Sequence, residues 1–351
     1  MPDPVPSPPA RPDHDVSEEL CHAWARPSAP GRVATQIRRA ARRIGVRLLA
    51  GRRGWHNRVF DSRFLCLPDE AHPDRGFMVW EQRYVFPVTH AAAGPGLAEA
   101  GRSCHLIASG PSLLAIPARH RLLDRYSVVV NGAHAAVDRG GRRFDLYVVT
   151  DPRFVRDKWE LFCAGLDSAR AFAADHRVFV EVLERDPQVL VGRRLVLFTN
   201  LRCPYRMRRD NDTTWCAHPG VQVGANGCGF SANLELGVFP GETVVFPCLE
   251  LLCGWNFREI FVFGLDLSSG RRSYAEADPA PSLLARQYEE FIEPSLRLAA
   301  QVARARGIAI WNCSPTSVLP ESILPKLVPE WALRETGSGA RESAPLRQTA
   351  S

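Results

Sequence analysis

The chain has 351 residues, of which 45% are hydrophobic, and a formal net charge of +6. No apolar run reaches the roughly 18 residues needed to cross a bilayer, and the N-terminus lacks the apolar core of a signal peptide. We therefore expect a cytoplasmic protein with one main globular domain. The ten cysteines form no C-x-x-C pair and no zinc-finger spacing, which favours reduced thiols over disulfides or metal ligands.

The two ends of the chain have the composition of disordered segments. Residues 1–30 are rich in Pro, and residues 335–351 are rich in small and polar residues. The segment between them divides into an accessory part, 31–100, and a larger part, 101–334. A strand pair is predicted near Phe77–Val88 within the accessory part.

The accessory part begins with a strongly basic stretch. Residues 32–58 hold nine Arg and no acidic residue. Apolar residues recur in it at helical spacing, which predicts a basic amphipathic helix; they are Val33, Ile37, Ala41, Ile44 and Leu48. Such a helix suits peripheral contact with an anionic membrane or an anionic glycolipid, and it equally suits a solvated helix docked on the domain. Nucleic acid is not expected as a partner, because no stacking aromatic motif accompanies the charge.

From Cys104 onward, apolar strands alternate with helical patterns. This alternation predicts an α/β fold with a doubly wound, mostly parallel sheet, carrying the basic helix as an N-terminal extension. The predicted strands are Cys104–Ala108, Ser127–Val130, Leu146–Thr150, Val178–Val182, Leu195–Thr199, Ile260–Phe263 and Ile308–Trp311. The predicted helices are Phe154–Leu166, Val244–Trp255 and Ser282–Arg306. A Gly- and Asn-rich insert over 201–240 is typical of a lid or a binding loop.

Polar and glycine residues follow the first three predicted strands. The first strand runs into Ser109, Gly110, Pro111 and Ser112, where Gly permits close backbone approach and Ser112 is placed to cap a helix that could meet an anion. The next two strands end at Asn131 and Asp151. Each residue alone is as well explained by a turn or a helix cap, but three consecutive strand ends of this kind favour a ligand site.

Two further candidates lie near the predicted helix Val244–Trp255. Gly241 and Thr243 precede it, with Thr243 as the expected cap of a helix start that could hold a phosphate. After the next strand, a loop carries Asp266 and Tyr274, and a Tyr hydroxyl can donate a hydrogen bond to a leaving phosphate. Asp210-Asn211-Asp212 forms a D-x-D, but it follows no strand, so no metal site is predicted there.

The order and spacing of these motifs resemble the bacterial sialyltransferases of glycosyltransferase family 42 and related Kdo-transferase-like proteins of the lipopolysaccharide core. The shared pieces are IASGPSL, VNGAH, VTDP, GETVVFPCLELLCGWNFREIFVFGLDLSSGRRSY and IWNCSPTS, which together cover roughly residues 104–327. The resemblance implies a Rossmann-like fold, the glycosyltransferase type A variant. It also implies a metal-independent transferase with no cofactor, which takes a CMP-activated acidic sugar.

The resemblance also implies roles for particular residues. The Gly-Pro-Ser turn falls on Gly110–Ser112, and the Gly-x-Asp that lines the nucleotide falls on Gly264 and Asp266. Of the two Tyr that bind the leaving phosphate, the second falls on Tyr274 and the first is replaced by Ser268. The family's catalytic His is absent from its usual place, where this chain has Glu289 and Glu290. Either one of these carboxylates is the general base, or His134 or His218 enters from another loop, or the activity is lost.

The first hypothesis is therefore a CMP-sugar glycosyltransferase that transfers Kdo or a sialic-acid-like sugar to a lipopolysaccharide or capsule acceptor. The second is a pterin-type pyrophosphokinase on the same sheet, which would require ATP and Mg²⁺. The third is a non-catalytic protein of envelope assembly that keeps the fold.

Overall fold

A computed structural model describes residues 41, 63–94, 103–206, 212–268, 272–274 and 287–334. The predicted basic helix, apart from Ala41, and both predicted disordered ends lie outside these residues. The described chain forms a ten-stranded sheet and a separate two-stranded hairpin. The strands are β1 Phe64–Pro68, β2 Arg75–Trp80, β3 Tyr84–His90, β4 Ser103–Ile107, β5 Tyr126–Val130, β6 Phe144–Val148, β7 Ala169–Ala174, β8 Arg194–Leu197, β9 Val221–Val223, β10 Gly229–Ser231, β11 Glu259–Phe263 and β12 Ala309–Asn312.

The large sheet has the order β1-β2-β3-β8-β7-β6-β5-β4-β11-β12. Every pair from β3–β8 to β11–β12 is parallel, whereas β1, β2 and β3 pair antiparallel. The chain builds outward from β4 to β8 and then crosses back to place β11 on the other side of β4. The direction of winding therefore reverses between β4 and β11, and ligands of open α/β sheets bind at such a switch point, beyond the carboxyl ends of the strands.

The helices cover both faces of the sheet, as a doubly wound fold requires. They are α1 Pro152–Asp157, α2 Trp159–Ser168, α3 His176–Arg185, α4 Asp212–Cys216, α5 Val245–Gly254, α6 Glu293–Ala305 and α7 Pro329–Ala332. Buried residues of α5 and α6 belong to one hydrophobic core, and those of α1, α2 and α3 belong to the other. The predicted mostly parallel α/β fold is thus confirmed, while the type A variant and the N-terminal helical extension stay predictions. Within the described ranges, no helix combines the length and apolarity of a membrane span.

Six of the seven predicted strands are present, and the prediction of a strand at Val178–Val182 is wrong. That stretch lies in α3, because the buried Asp175 carboxylate accepts hydrogen bonds from the amides of Arg177 and Val178 and caps a helix there. The strand that the prediction missed is β7, whose sequence ARAFAA has four alanines. Alanine favours helices, so only the pairing of β7 between β6 and β8 identifies it as a strand.

The predicted helices are present with local breaks. Helix Phe154–Leu166 is divided into α1 and α2 at Lys158, which has non-helical backbone angles. The described end of the predicted helix Ser282–Arg306 consists of a π-turn, Tyr288–Ile292, followed by α6. Pro294 has no N–H to offer the Glu290 carbonyl, and the Asn226 amide donates to that carbonyl instead at 3.1 Å.

The strand pair predicted near Phe77–Val88 is also confirmed, as β2 and β3. These strands join the main sheet, because β3 pairs with β8 from Val88 opposite Leu195. The same sheet therefore includes strands from the segment 31–100 as well as from 101–334.

Candidate active site

A cavity of about 930 Å³ lies beyond the carboxyl ends of the parallel strands, at the switch point. This volume suits a ligand of nucleotide-sugar size. Loops after β4, β5, β6 and β11 supply one wall, and the start of α5 supplies another. Ten of the predicted site residues line it: Ser109, Gly110, Pro111, Asn131, Asp151, Gly241, Thr243, Gly264, Asp266 and Tyr274.

The loops after β4 and β11 touch directly at the centre of the cavity floor. The Gly110 amide donates to the Gly264 carbonyl at 2.8 Å, and a Cβ on Gly110 would lie 2.4 Å from that same oxygen. Gly264 has a φ of +71°, and its Cβ would lie 2.3 Å from the Ala108 carbonyl oxygen. Both positions therefore require glycine for this close approach, independently of any ligand.

Asp266 locks the two loops together. Only 2% exposed, it accepts the Ser112 amide at 2.8 Å on one carboxylate oxygen and the Thr316 hydroxyl at 2.7 Å on the other. The predicted capping role of Ser112 is therefore wrong: Ser112 lies inside a short 3₁₀ turn, Pro111–Ala115, and its amide is bound by Asp266. Because both of its carboxylate oxygens accept hydrogen bonds from the protein, Asp266 can be buried.

This arrangement makes a prediction about Asp266. Asp266→Asn keeps an oxygen for the Ser112 amide and turns its amide toward the Thr316 hydroxyl, so we expect stability within about 1 kcal/mol of wild type. Asp266→Ala leaves two polar groups without their partner, at about 1–3 kcal/mol each. Urea unfolding measures both. Loss of nucleotide binding in the stable Asn variant would show instead that the carboxylate charge acts on the ligand directly.

Tyr274 is held at the end of β5 by close packing. The Ser273 amide donates to the Ser109 carbonyl at 2.8 Å, which brings this loop onto the end of β4. The Tyr274 ring then lies so close to Gly132 that a Cβ there would come within 2.6 Å of two ring carbons. Gly132 follows Asn131, which has a φ of +47° and a buried side-chain oxygen with no hydrogen-bond partner among the described residues. Tyr274 and Asn131 thus share one corner of the cavity.

Five predicted site residues do not line the cavity: Ser112, Ser268, His134, Glu289 and Glu290. His134 is 5% exposed, and its Nε2 lies 3.0 Å from the Leu161 carbonyl, which can only accept a hydrogen bond. Burial lowers the pKa of His134 to about 4, so its imidazole is neutral at pH 7. Glu289 and Glu290 are exposed on the π-turn, and Ser268 is also exposed. His218 packs against Trp215, with 5.7 Å between the ring centres, and it does not line the cavity either. None of the four proposed bases therefore lines the cavity in this structure.

The sequence prediction missed several cationic residues of the cavity wall. They come from the segments that follow β6, β7 and β8: Arg153, Lys158, Arg177 and Arg202. Arg177 is fixed by two contacts with Asp175 Oδ2, at 2.9 and 2.5 Å, and the Arg202 guanidinium lies 5.3 Å from the Phe239 ring centre. The missed strand β7 precedes Asp175 and Arg177, so correct placement of β7 would have found Arg177.

Asp151 also has a structural partner at the cavity edge. Its carboxylate caps α1 by accepting the Arg153 amide and pairs with the Arg153 guanidinium at 2.7 Å. The predicted capping alternative for Asp151 is thus present. Its side chain remains 40% exposed, which leaves it accessible to a ligand.

The start of α5 faces the cavity without a side-chain cap. The structure places the N-cap at Val244 rather than at Thr243, so the predicted cap is wrong, and Val244 offers no polar side chain. Gly241 has a φ of +53°, and its Cβ would lie 2.3 Å from the Phe246 ring. A helix start with unsatisfied amides favours negative charge, because of the helix dipole.

Glu250 is a buried carboxylate on α5 that binds the part of the cavity wall formed by the insert 201–240. It is fully buried on α5 and accepts the Ser231 amide at 2.6 Å and the Phe239 amide at 2.8 Å. Burial raises its pKa well above the usual 4.5, although the two amide hydrogen bonds oppose the shift. Through Glu250, the predicted insert 201–240 is fastened to α5, and its residues 226–229 and 239–240 line the cavity.

The described residues thus form a doubly wound α/β fold with a cavity at the switch point of its sheet. Solved structures similar to it include a MAf glycosyltransferase from Magnetospirillum magneticum AMB-1, with 15% identity and a TM-score of 0.40, over 66% of this chain and 34% of that protein. They also include the sialyltransferase CstII from Campylobacter jejuni in complex with cytidine-5'-monophosphate, with 12% identity and a TM-score of 0.37, over 67% of this chain and 88% of that one. This chain thus spans about a third of the Magnetospirillum protein.

Neither a protein-family model nor a curated protein sequence matches the chain. Among the residues described, no group of three or more His, Cys, Asp or Glu side chains is placed to hold a metal ion.

Proposed function

We propose that this protein is a glycosyltransferase that takes a CMP-activated acidic sugar, Kdo or a sialic-acid-like sugar, without a metal ion. The observation that carries the proposal is the placement of Tyr274 against Gly132, beside Asn131, in a cavity at the switch point of the sheet. A neutral phenol at this place can donate to a leaving phosphate, and an Asn side chain can pair with a nucleoside. The pattern of motifs in the sequence supports CMP as the nucleotide.

The chemistry would be a displacement at the anomeric carbon of the donor sugar. The acceptor hydroxyl attacks that carbon, the bond to the CMP phosphate breaks, and the Tyr274 hydroxyl donates a hydrogen bond to the phosphate oxygen that leaves. The proton of the acceptor goes to a carboxylate on the cavity wall, and the candidates are Asp151, Asp157 and Glu242, since both oxygens of Asp266 are already hydrogen-bonded within the protein. The uncapped start of α5 and the Arg side chains would stabilise the negative charges of donor and acceptor.

The proposed acceptor is a lipopolysaccharide or capsule precursor, and the proposed location is the cytoplasm, with peripheral contact to the inner membrane where such precursors are made. The Arg-rich cavity wall supports an anionic acceptor, since Arg binds phosphate and carboxylate in a bidentate manner.

A nucleotide panel in a thermal unfolding assay tests the proposal. A ligand that binds only the folded protein raises its melting temperature, and a tighter ligand raises it more. We therefore expect a larger increase with CMP than with UDP, GDP or ATP. A shift of the same size with EDTA present is expected for a metal-independent site. A preference for ATP with Mg²⁺ would favour a pyrophosphokinase instead, and no preference for CMP would reject the proposal.

A further inference from the structure

The three-stranded extension β1–β3 has one apolar face that the described residues leave exposed. Because side chains alternate along a strand, six apolar residues point to this side and align across the strands in two rows, next to the polar pair Arg75 and Thr89. We call this set the apolar face: Leu67, Phe77 and Pro87 in one row, and Leu65, Val79 and Val85 in the next. The opposite face is buried in the core through Phe64, Met78, Trp80, Phe86 and Val88.

The exposure of this face is unusual for the molecule. Leu67 is 46% exposed, Phe77 36% and Val85 46%. They are three of the eight large hydrophobic residues that are exposed in the described chain, and they lie on neighbouring strands. Single exposed hydrophobic residues are common, but a contiguous apolar patch marks a docking surface.

The sheet topology explains why no helix of the described residues packs on the apolar face. Helices α5 and α6 pack in the core that contains residues of β4, β11 and β12, at the other end of the sheet. The buried face of β1–β3 belongs to the core of α1–α3, and Arg63 pairs with Glu184 of α3 at 2.7 Å. A doubly wound sheet needs a helix layer on both faces, and at β1–β3 one layer is missing from the described chain.

We infer that residues 33–49 of the same chain dock on the apolar face as an amphipathic helix. The sequence of this segment places Val33, Ile37, Ile44 and Leu48 on one stripe, with Arg on the other sides. The segment precedes β1 in the chain, and the connecting residues 50–62 can span up to roughly 40 Å, which exceeds the width of three strands.

Charge complementarity supports this occupant over a second copy of the sheet face. The turn between β1 and β2 carries three carboxylates, Asp69, Glu70 and Asp74, and is followed by the cationic Arg75 at the start of β2. The turn between β2 and β3 carries Glu81, which pairs with Arg63 at 3.4 Å, and Arg83, so the acidic residues are concentrated at the β1–β2 end of the face. An apolar face with one acidic end matches an apolar stripe flanked by Arg, whereas two copies of the face that meet at this end would bring like charges together.

Site-specific photo-cross-linking in the full chain tests the inference. With p-benzoylphenylalanine in place of Phe77, we expect cross-links into residues 33–49 within a single chain, located by mass spectrometry. The matched control carries the same group in place of Trp331, which is similarly exposed at 40% and lies in α7, and it should give none. Cross-links between two chains would assign the face to a dimer. No cross-link into 33–49, with flotation of the protein on phosphatidylglycerol vesicles, would assign the segment to a membrane; either result overturns the inference.

Hydrogen exchange gives an independent readout that does not depend on catalysis. Val85→Asp places a charge on the apolar face, and we expect roughly tenfold faster exchange of the amides in 33–49, with β5 and β6 still protected. Val328→Asp makes the same substitution at another exposed Val, at 63% exposure, and should leave the exchange of 33–49 unchanged. Equal exchange of 33–49 in the wild type and Val85→Asp would overturn the docking.

Discussion

Replacing Tyr274 with Phe is expected to lower turnover of a CMP-sugar by roughly 100-fold, with a much smaller effect on CMP binding. The reason is that the hydroxyl acts on the charge that develops on the leaving phosphate, and loss of one such donor costs about that factor. The contact of ring carbons Cδ1 and Cε1 with Gly132 and the Ser273–Ser109 backbone hydrogen bond are both retained in the Phe variant. Release of CMP from CMP-Kdo and CMP-sialic acid measures turnover, and calorimetry measures CMP binding.

Gly132→Ala tests the role of Tyr274 in a second way, by displacing its ring without changing Tyr274 itself. Gly132 has a φ of −88°, which Ala adopts without strain, so the cost arises from the Cβ, which would lie 2.6 Å from the Tyr274 ring and 2.6 Å from Leu161 Cδ2. We expect the ring to move and turnover to fall in the same direction as in Tyr274→Phe. Gly224→Ala is the matched control, because its Cβ would meet the nearest atom at 3.6 Å, an ordinary contact. Normal turnover in Tyr274→Phe, whatever the result for Gly132→Ala, would remove the assigned role.

The strand ends of the cavity could be predicted because each combines two local signals. A buried apolar strand followed at once by Gly110, Asn131 or Asp266 fixes where the chain leaves the sheet, and parallel strands bring those exits to one edge. The uses of individual side chains were harder to predict. Asp266 binds Ser112 and Thr316, far from it in sequence, and only the closed fold brings them together.

The elements that could not be predicted depend on tertiary contacts. β7 is an Ala-rich strand held by neighbours on both sides, and α3 is a Val-rich helix held by the Asp175 cap. In both, local propensity points to the wrong structure and packing overrides it. The two carboxylates proposed as bases, Glu289 and Glu290, do not reach the cavity because they lie on the π-turn before Pro294, whose geometry helical spacing alone does not predict.

The cavity wall formed by the insert depends on one buried carboxylate, and its removal is expected to be severe. Glu250→Ala leaves the Ser231 and Phe239 amides without an acceptor in the core, at about 1–3 kcal/mol each, so we expect a loss of roughly 2–6 kcal/mol in the free energy of unfolding. Because Phe239 lines the cavity, CMP binding should weaken as well. Glu250→Gln keeps one acceptor and nearly the same volume, and should lose about half as much stability.

The pH dependence of unfolding tests whether Glu250 is protonated in the folded protein. Its pKa is raised in the folded protein, so the folded state holds a proton that the unfolded chain releases above pH 4.5. Stability contributed by the protonated group is therefore complete below pH 4.5 and is lost as the pH rises toward and through the folded pKa. Glu250→Gln has no proton to lose at this position, so urea unfolding between about pH 5 and 9 should show a smaller decline for it than for the wild type. Parallel declines in the two proteins would mean that Glu250 is ionised in the folded state, with its charge stabilised by the Ser231 and Phe239 amides.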